Sequence, residues 1–233
     1  MVWNHWASTF TSASRSVLQE LRSDTSLKVR PQGIDLAVLP AVPLMCESNI
    51  NSDTSHDDMK KALFRMLPRA IRKWSSDAVE ELEQFARNQL GLPPLSKPSR
   101  LPSVIFLCKA CSRQRSRCPR FGFDEALSHQ HLYKEKRQDY QRDNTREMSS
   151  YDKFVMGYAT HPRDIKVLQV DVTVSRRVEN LIRRMGQNPS RVTYDDLRRS
   201  AVNVVCGLCS PQDATRMDFE HAVRRSVRFF LHC

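Results

Sequence analysis

Glycine is scarce in this chain, 6 of 233 residues, and no stretch forms a glycine-rich phosphate cradle, which argues against a nucleotide-binding enzyme. Aromatic residues make up 8% and hydrophobic residues 40%, so any core is modest. A chain with a small core gains from a metal staple. No window approaches the ~18 continuous apolar residues of a membrane span. The first residues, MVWNHWASTFTSASRSVLQELR, lack the apolar run of a secretory signal.

Basic charge and cysteine are well supplied. The net charge is +11 and the pI about 9.6, which favours acidic partners such as nucleic acid or an acidic protein. The basic residues are mixed with acids, as in KEKRQDYQRDNTRE from Lys134 to Glu147, and read as a solvated face more than a phosphate track. Seven cysteines without a signal peptide point to a reducing, intracellular setting, cytoplasm or nucleus. There CxxC pairs bind metal or do redox work.

Four regions follow from the pattern. Residues 1–56 read as poorly ordered or extended, since Pro40 and Pro43 interrupt the apolar stretch Ile34–Met45. Residues 57–92 read as helical, with Leu67, Ile71, Trp74, Ala78, Leu82 and Phe85 on one face. That stripe is expected to pack on the domain's own core. Pro68 is expected to start a second helix there, and Gly91 to stop it. The proline-rich joint 91–102 is the best boundary candidate. Residues 103–150 carry a first CxxC/His unit with a polar extension. Residues 151–233 form a strand–helix region with a second such unit. Within it Ile165–Val174 reads as a strand, Ser175 as a helix cap, Gly186 as a stop, and Thr193 with Asp196 as a capping pair. The expected fold class is α+β and mainly helical. Its small zinc-stabilised units are each built as short strand, CxxC knuckle and helix.

Zinc is the expected cofactor, in a structural role, because thiolates and imidazoles hold it tetrahedrally. The first ligand set is Cys108, Cys111, His129 and His131. Both histidines can ligate only if the helix before them ends, and Cys118 is a rival ligand. The second set is Cys206, Cys209, His221 and His232, with Cys233 as an alternative to the last. On one unbroken helix His221 and His232 would lie roughly 16 Å apart, so the fourth ligand of that set stays open. The two CxxC pairs can also be joined in one all-cysteine site, or be buried thiols without metal. Redox use is disfavoured because neither pair opens a helix in a thioredoxin-like pattern.

The progression ALFRMLPRAIRKWSSDAVEELEQF, IFLCKAC, FGFDEALSH, ENLIRRMGQNPSRVTYDDLRRSAVNVVCGLC and FEHAVRRSV resembles a group of uncharacterised fungal proteins related to the C-terminal region of fungal F-box proteins. The resemblance covers roughly residues 57–232. It implies finger-like metal sites and, in complete members, recruitment to a ubiquitin ligase. No leucine-proline-led F-box helix set is evident in residues 1–55.

The leading functional expectation is a non-catalytic, zinc-stabilised module that binds a protein partner. The alternative is a nucleic-acid-binding, finger-like protein using SRQRSRCPR and RRSVRFF for phosphate contacts. A zinc hydrolase using Glu220 beside His221 ranks third. No catalytic residue, small-molecule substrate or membrane partner is expected.

Overall fold

The computed structural model describes residues 2–50, 56–114, 120–134, 150–158, 160–199, 204–205 and 216–217. In chain order its helices are α1 (Val2–Glu20), α2 (Gly33–Ala37), α3 (Ala41–Ile50), α4 (His56–Leu90), α5 (Lys109–Gln114), α6 (Phe123–Leu127), α7 (Ser150–Met156), α8 (Val172–Arg184) and α9 (Tyr194–Arg199). The strands are β1 (Phe106–Cys108), β2 (Arg120–Phe121), β3 (Leu168–Val170), β4 (Val204–Val205) and β5 (Arg216–Met217). The protein is mainly helical with a small sheet, as an α+β reading of the sequence anticipates. Among the described residues no helix is long and apolar enough to cross a membrane.

The chain forms two compact units. The first comprises Met1–Glu81 and Leu127–Val167. Its core is built on α1, where Trp6, Phe10, Ala13 and Val17 recur at helical spacing and all bury. They pack with Leu36, Ala37 and Val42, and with Met59, Leu63, Leu67 and Ile71 of α4. The Trp6 and Phe10 rings stack at 5.3 Å, and Phe154 of α7 meets both edge-on. Residues expected to be poorly ordered or extended thus hold a helical core. The cause is packing: Trp6, Phe10 and Val17 find one apolar partner face, which local polarity does not reveal.

Two proline expectations are corrected here. Ile34–Met45 was read as extended, yet it lies across α2 and α3. Pro43 is the third residue of α3, inside the first turn, where an amide has no intrahelical acceptor and its loss costs nothing. Pro68 does not divide α4, which runs unbroken through it. An interior proline costs about 3 kcal/mol, but Leu63, Leu67 and Ile71 on both sides of it are fully buried in one core. That shared burial offsets the lost hydrogen bond.

The second unit comprises Leu82–Ala126 and Leu168–Cys233. Its sheet has the order β2-β1-β3, with both neighbours antiparallel to β1. Strand β3 covers only Leu168–Val170 of the expected strand. Asp171 ends it, because its carboxylate accepts from the Val174 amide and caps α8. Ser175, expected to be the cap, is instead a buried residue of α8 whose hydroxyl accepts from the Ile105 amide. Val174, Val178 and Ile182 of α8 bury with Ile105, Val192 and Leu197. Gly186 closes the helix at φ 74°, a conformation glycine adopts without strain. Thr193 and Asp196 exchange side-chain-to-amide bonds at the start of α9, as the sequence anticipates.

The proline-rich joint 91–102 is folded into the second unit. Arg87 reaches from α4 to the Ser96 carbonyl at 3.2 Å, Ser99 bonds Glu83, and Pro98 and Leu101 are buried. Composition marks such a segment as a linker; two side chains of α4 tie it down.

Candidate metal centre

The centre is assembled within one short run of chain, from β1 to the turn after α6. Cys108 is the last residue of the middle strand of the sheet. Its neighbours Phe106 and Leu107 pair with Phe121 and Arg120 on one side, and all three residues pair with β3 on the other. The chain then turns straight into α5, which carries Cys111 in its first turn. Both thiols are buried. A strand end followed by a helical turn points two residues, three apart, toward one place.

The histidines arrive by way of α6. Gly122 opens it, donating its amide to Glu125 and giving its carbonyl to Ala126. A Cβ at Gly122 would meet the Tyr194 hydroxyl at 3.3 Å. Phe123 anchors the helix by packing edge-on against Phe106, and Ala126 and Leu127 are buried. The helix ends at Leu127. His129 has extended backbone, with φ −66° and ψ 129°, and caps a short 3-10 turn, Gln130–Leu132. The helix therefore breaks just where both imidazoles need it to break. Leu132 is fully buried and accepts from the Asp164 amide at 2.9 Å, which fixes the far end of the turn.

The outcome is a four-ligand cluster. Cys108, Cys111, His129 and His131 each offer one ligand atom, and these atoms all lie within 4.8 Å of one another. A tetrahedral ion bound by two sulfurs and two nitrogens needs separations of about 3.3–3.8 Å, from bond lengths of about 2.3 and 2.0 Å. A contraction of about 1 Å or less closes the set around an ion. The two imidazole rings stand 5.1 Å apart and nearly perpendicular, so their nitrogens approach from different directions. Burial, and then the neighbouring His131, hold the His129 pKa below its ordinary value. Its neutral form, the one that ligates, is thereby favoured. These four residues are positioned to bind a metal ion.

The other predicted ligands lie outside the described residues: Cys118, Cys206, Cys209, His221, His232 and Cys233. The same holds for Glu220 and for the polar stretch 135–149. Of the second unit's expected strand, β4 is described, and it pairs with β5 just before Cys206.

A polar cluster on three separated segments has no signature in the sequence. Asp35 of α2 is buried, and its carboxylate accepts from the Gln32 amide at 2.8 Å, the Tyr133 hydroxyl at 2.7 Å and the Arg163 amide at 3.1 Å. Burial raises its pKa despite those three bonds. The only local signal was the spacing Gln32-x-x-Asp35, which makes a capping box. No family model, no curated protein and no solved structure matches this chain.

Proposed function

We propose that the chain is a non-catalytic module, stiffened by structural zinc at Cys108, Cys111, His129 and His131, that presents its surface to a protein partner. The observation carrying this reading is the ligand count. Four protein ligands fill a tetrahedron, whereas a catalytic zinc keeps one position for water. Two thiolates and two imidazoles suit zinc better than magnesium or calcium, which take oxygen ligands. The resemblance read from the sequence also points to a protein partner. Basic residues interspersed with acids support that reading over a phosphate track.

The test is the metal content of purified protein, with cobalt as a spectroscopic substitute. A tetrahedral ligand-field spectrum with thiolate charge-transfer bands is expected, and it should disappear in Cys108→Ser. An octahedral spectrum, or an open water position exchangeable with added anions, would count against a structural site. The net charge of +11 favours a second reading, nucleic-acid binding. In that case an electrophoretic shift should appear at low salt and fade steeply as salt rises. No shift at low salt removes it.

A further inference from the structure

A cavity of about 360 Å³ lies within the first unit, in the size range of small-molecule sites. It shares no residue with the metal ligands. Val38, Leu39, Trp74 and Pro162 give it apolar walls, and Val38 is exposed. Trp74, Asp77, Ala78 and Glu81 fall at helical spacing on α4, so one helix face forms one side.

Arg163 is the unusual group in this lining. Its side chain is only 4% exposed, and Nη1 pairs with Glu81 at 2.7 Å. Nε and Nη2 are buried and have no hydrogen-bond partner. These two N–H groups form one edge of the guanidinium, the edge that takes a carboxylate in bidentate fashion. Buried donors of this kind are costly to leave unmade, which points to an acceptor that completes them.

Charge narrows the choice of ligand. The lining carries three carboxylates, Asp35, Asp77 and Glu81, against the single guanidinium. A simple anion would meet surplus negative charge, and a simple cation would leave the arginine edge unfilled. Glu81 is engaged by Arg163, and Asp77 is paired with Lys73 at the surface. Asp35 accepts three hydrogen bonds, which leaves about one of a carboxylate's four lone-pair positions open. A ligand with both charges on adjacent atoms, and an apolar remainder, satisfies every part of the cavity.

We infer that this cavity binds a free α-amino acid with an apolar side chain, its carboxylate on the Nε/Nη2 edge of Arg163, its ammonium toward Asp35 and Asp77, and its side chain against Val38, Leu39 and Trp74. A peptide terminus carries only one of the two charges and is distinguished on that ground.

The experiment is calorimetric titration of the full chain with L-leucine and with L-phenylalanine. Parallel titrations use 4-methylpentanoate, which lacks the ammonium of leucine, and 3-methylbutylamine, which lacks its carboxylate. Saturable one-to-one binding of at least one amino acid is expected, with each half-analogue at least tenfold weaker than leucine or silent. Arg163→Gln should weaken binding more than tenfold. Because that change disturbs a buried ion pair, Ala78→Met, which fills the cavity and leaves every charge in place, should abolish binding with an unchanged melting temperature. Asp77→Asn, at an exposed position, should weaken the amino acids and leave 4-methylpentanoate unaffected. No saturable binding of either amino acid overturns the inference. So does equal affinity for 4-methylpentanoate, or undiminished binding by Ala78→Met.

Discussion

Cys108 and His129 show how far single residues can be read. Cys108 is fixed on both sides by strand pairing, so its position does not depend on a bound ion. His129 depends on protonation. Its folded-state pKa lies below the ordinary 6.5 because of burial and then His131. Between those two values the unfolded chain binds more protons than the folded one, so stability rises with pH through that window. The contribution is present above 6.5 and is lost as pH falls toward the folded-state value. Thermal melts of metal-free protein should therefore fall as pH drops below about 6.5, less so in His129→Asn. Acid should also release the metal, since protons compete for thiolate and imidazole. At Tyr133, burial and the Asp35 carboxylate raise the pKa, which keeps the hydroxyl a donor. Tyr133→Phe should cost about 2 kcal/mol in denaturant unfolding, the scale of a hydrogen bond to a charged acceptor. None of these three positions except His129 was marked by sequence spacing. Asp35 and Tyr133 are 98 residues apart, and no local pattern joins them.

At the scale of elements, period and punctuation carried much of the reading. The stripe of α4 is buried at Leu67, Ile71, Ala78 and Leu82, and Gly91 and Gly186 adopt positive φ after α4 and α8. Proline was the weak signal. Pro43 serves the first turn of α3, and Pro68 is carried within α4, because the effect of a proline depends on its place in the helix and on neighbouring burial. The end of α6 at Leu127 was legible only as a condition: both histidines could ligate if the helix stopped. Contacts between elements set a further constraint at Gly33, where an added Cβ would sit 2.9 Å from the Tyr158 ring. Gly33→Ala should destabilise by about 1–3 kcal/mol through that overlap, read as a lower urea midpoint with an unchanged slope. A tyrosine at the end of α7 cannot be connected with α2 from sequence alone.

For the whole molecule, a modest apolar share and a four-ligand cluster make the metal a stability element. Structural zinc sites supply on the order of 10 kcal/mol of binding free energy at neutral pH, as much as a small domain's total stability. Chelation should lower the melting temperature by ten degrees or so, and readded zinc should restore it. In Cys111→Ser, chelator should leave the melting temperature almost unchanged. The sequence by itself determined the chemistry on offer: thiol and imidazole pairs at short spacing, a helical chain, surplus basic charge, and no phosphate loop. Those are properties of residue type and local period, which a string of letters records in full. Tertiary structure alone decided which donors converge. It brought His129 and His131 to the Cys108–Cys111 turn by ending α6 against Phe106, turned residues 2–20 into a core helix, and placed Asp35, Trp74 and Arg163 around one cavity. Convergence of that kind depends on packing between distant segments, and neither propensity nor spacing encodes it.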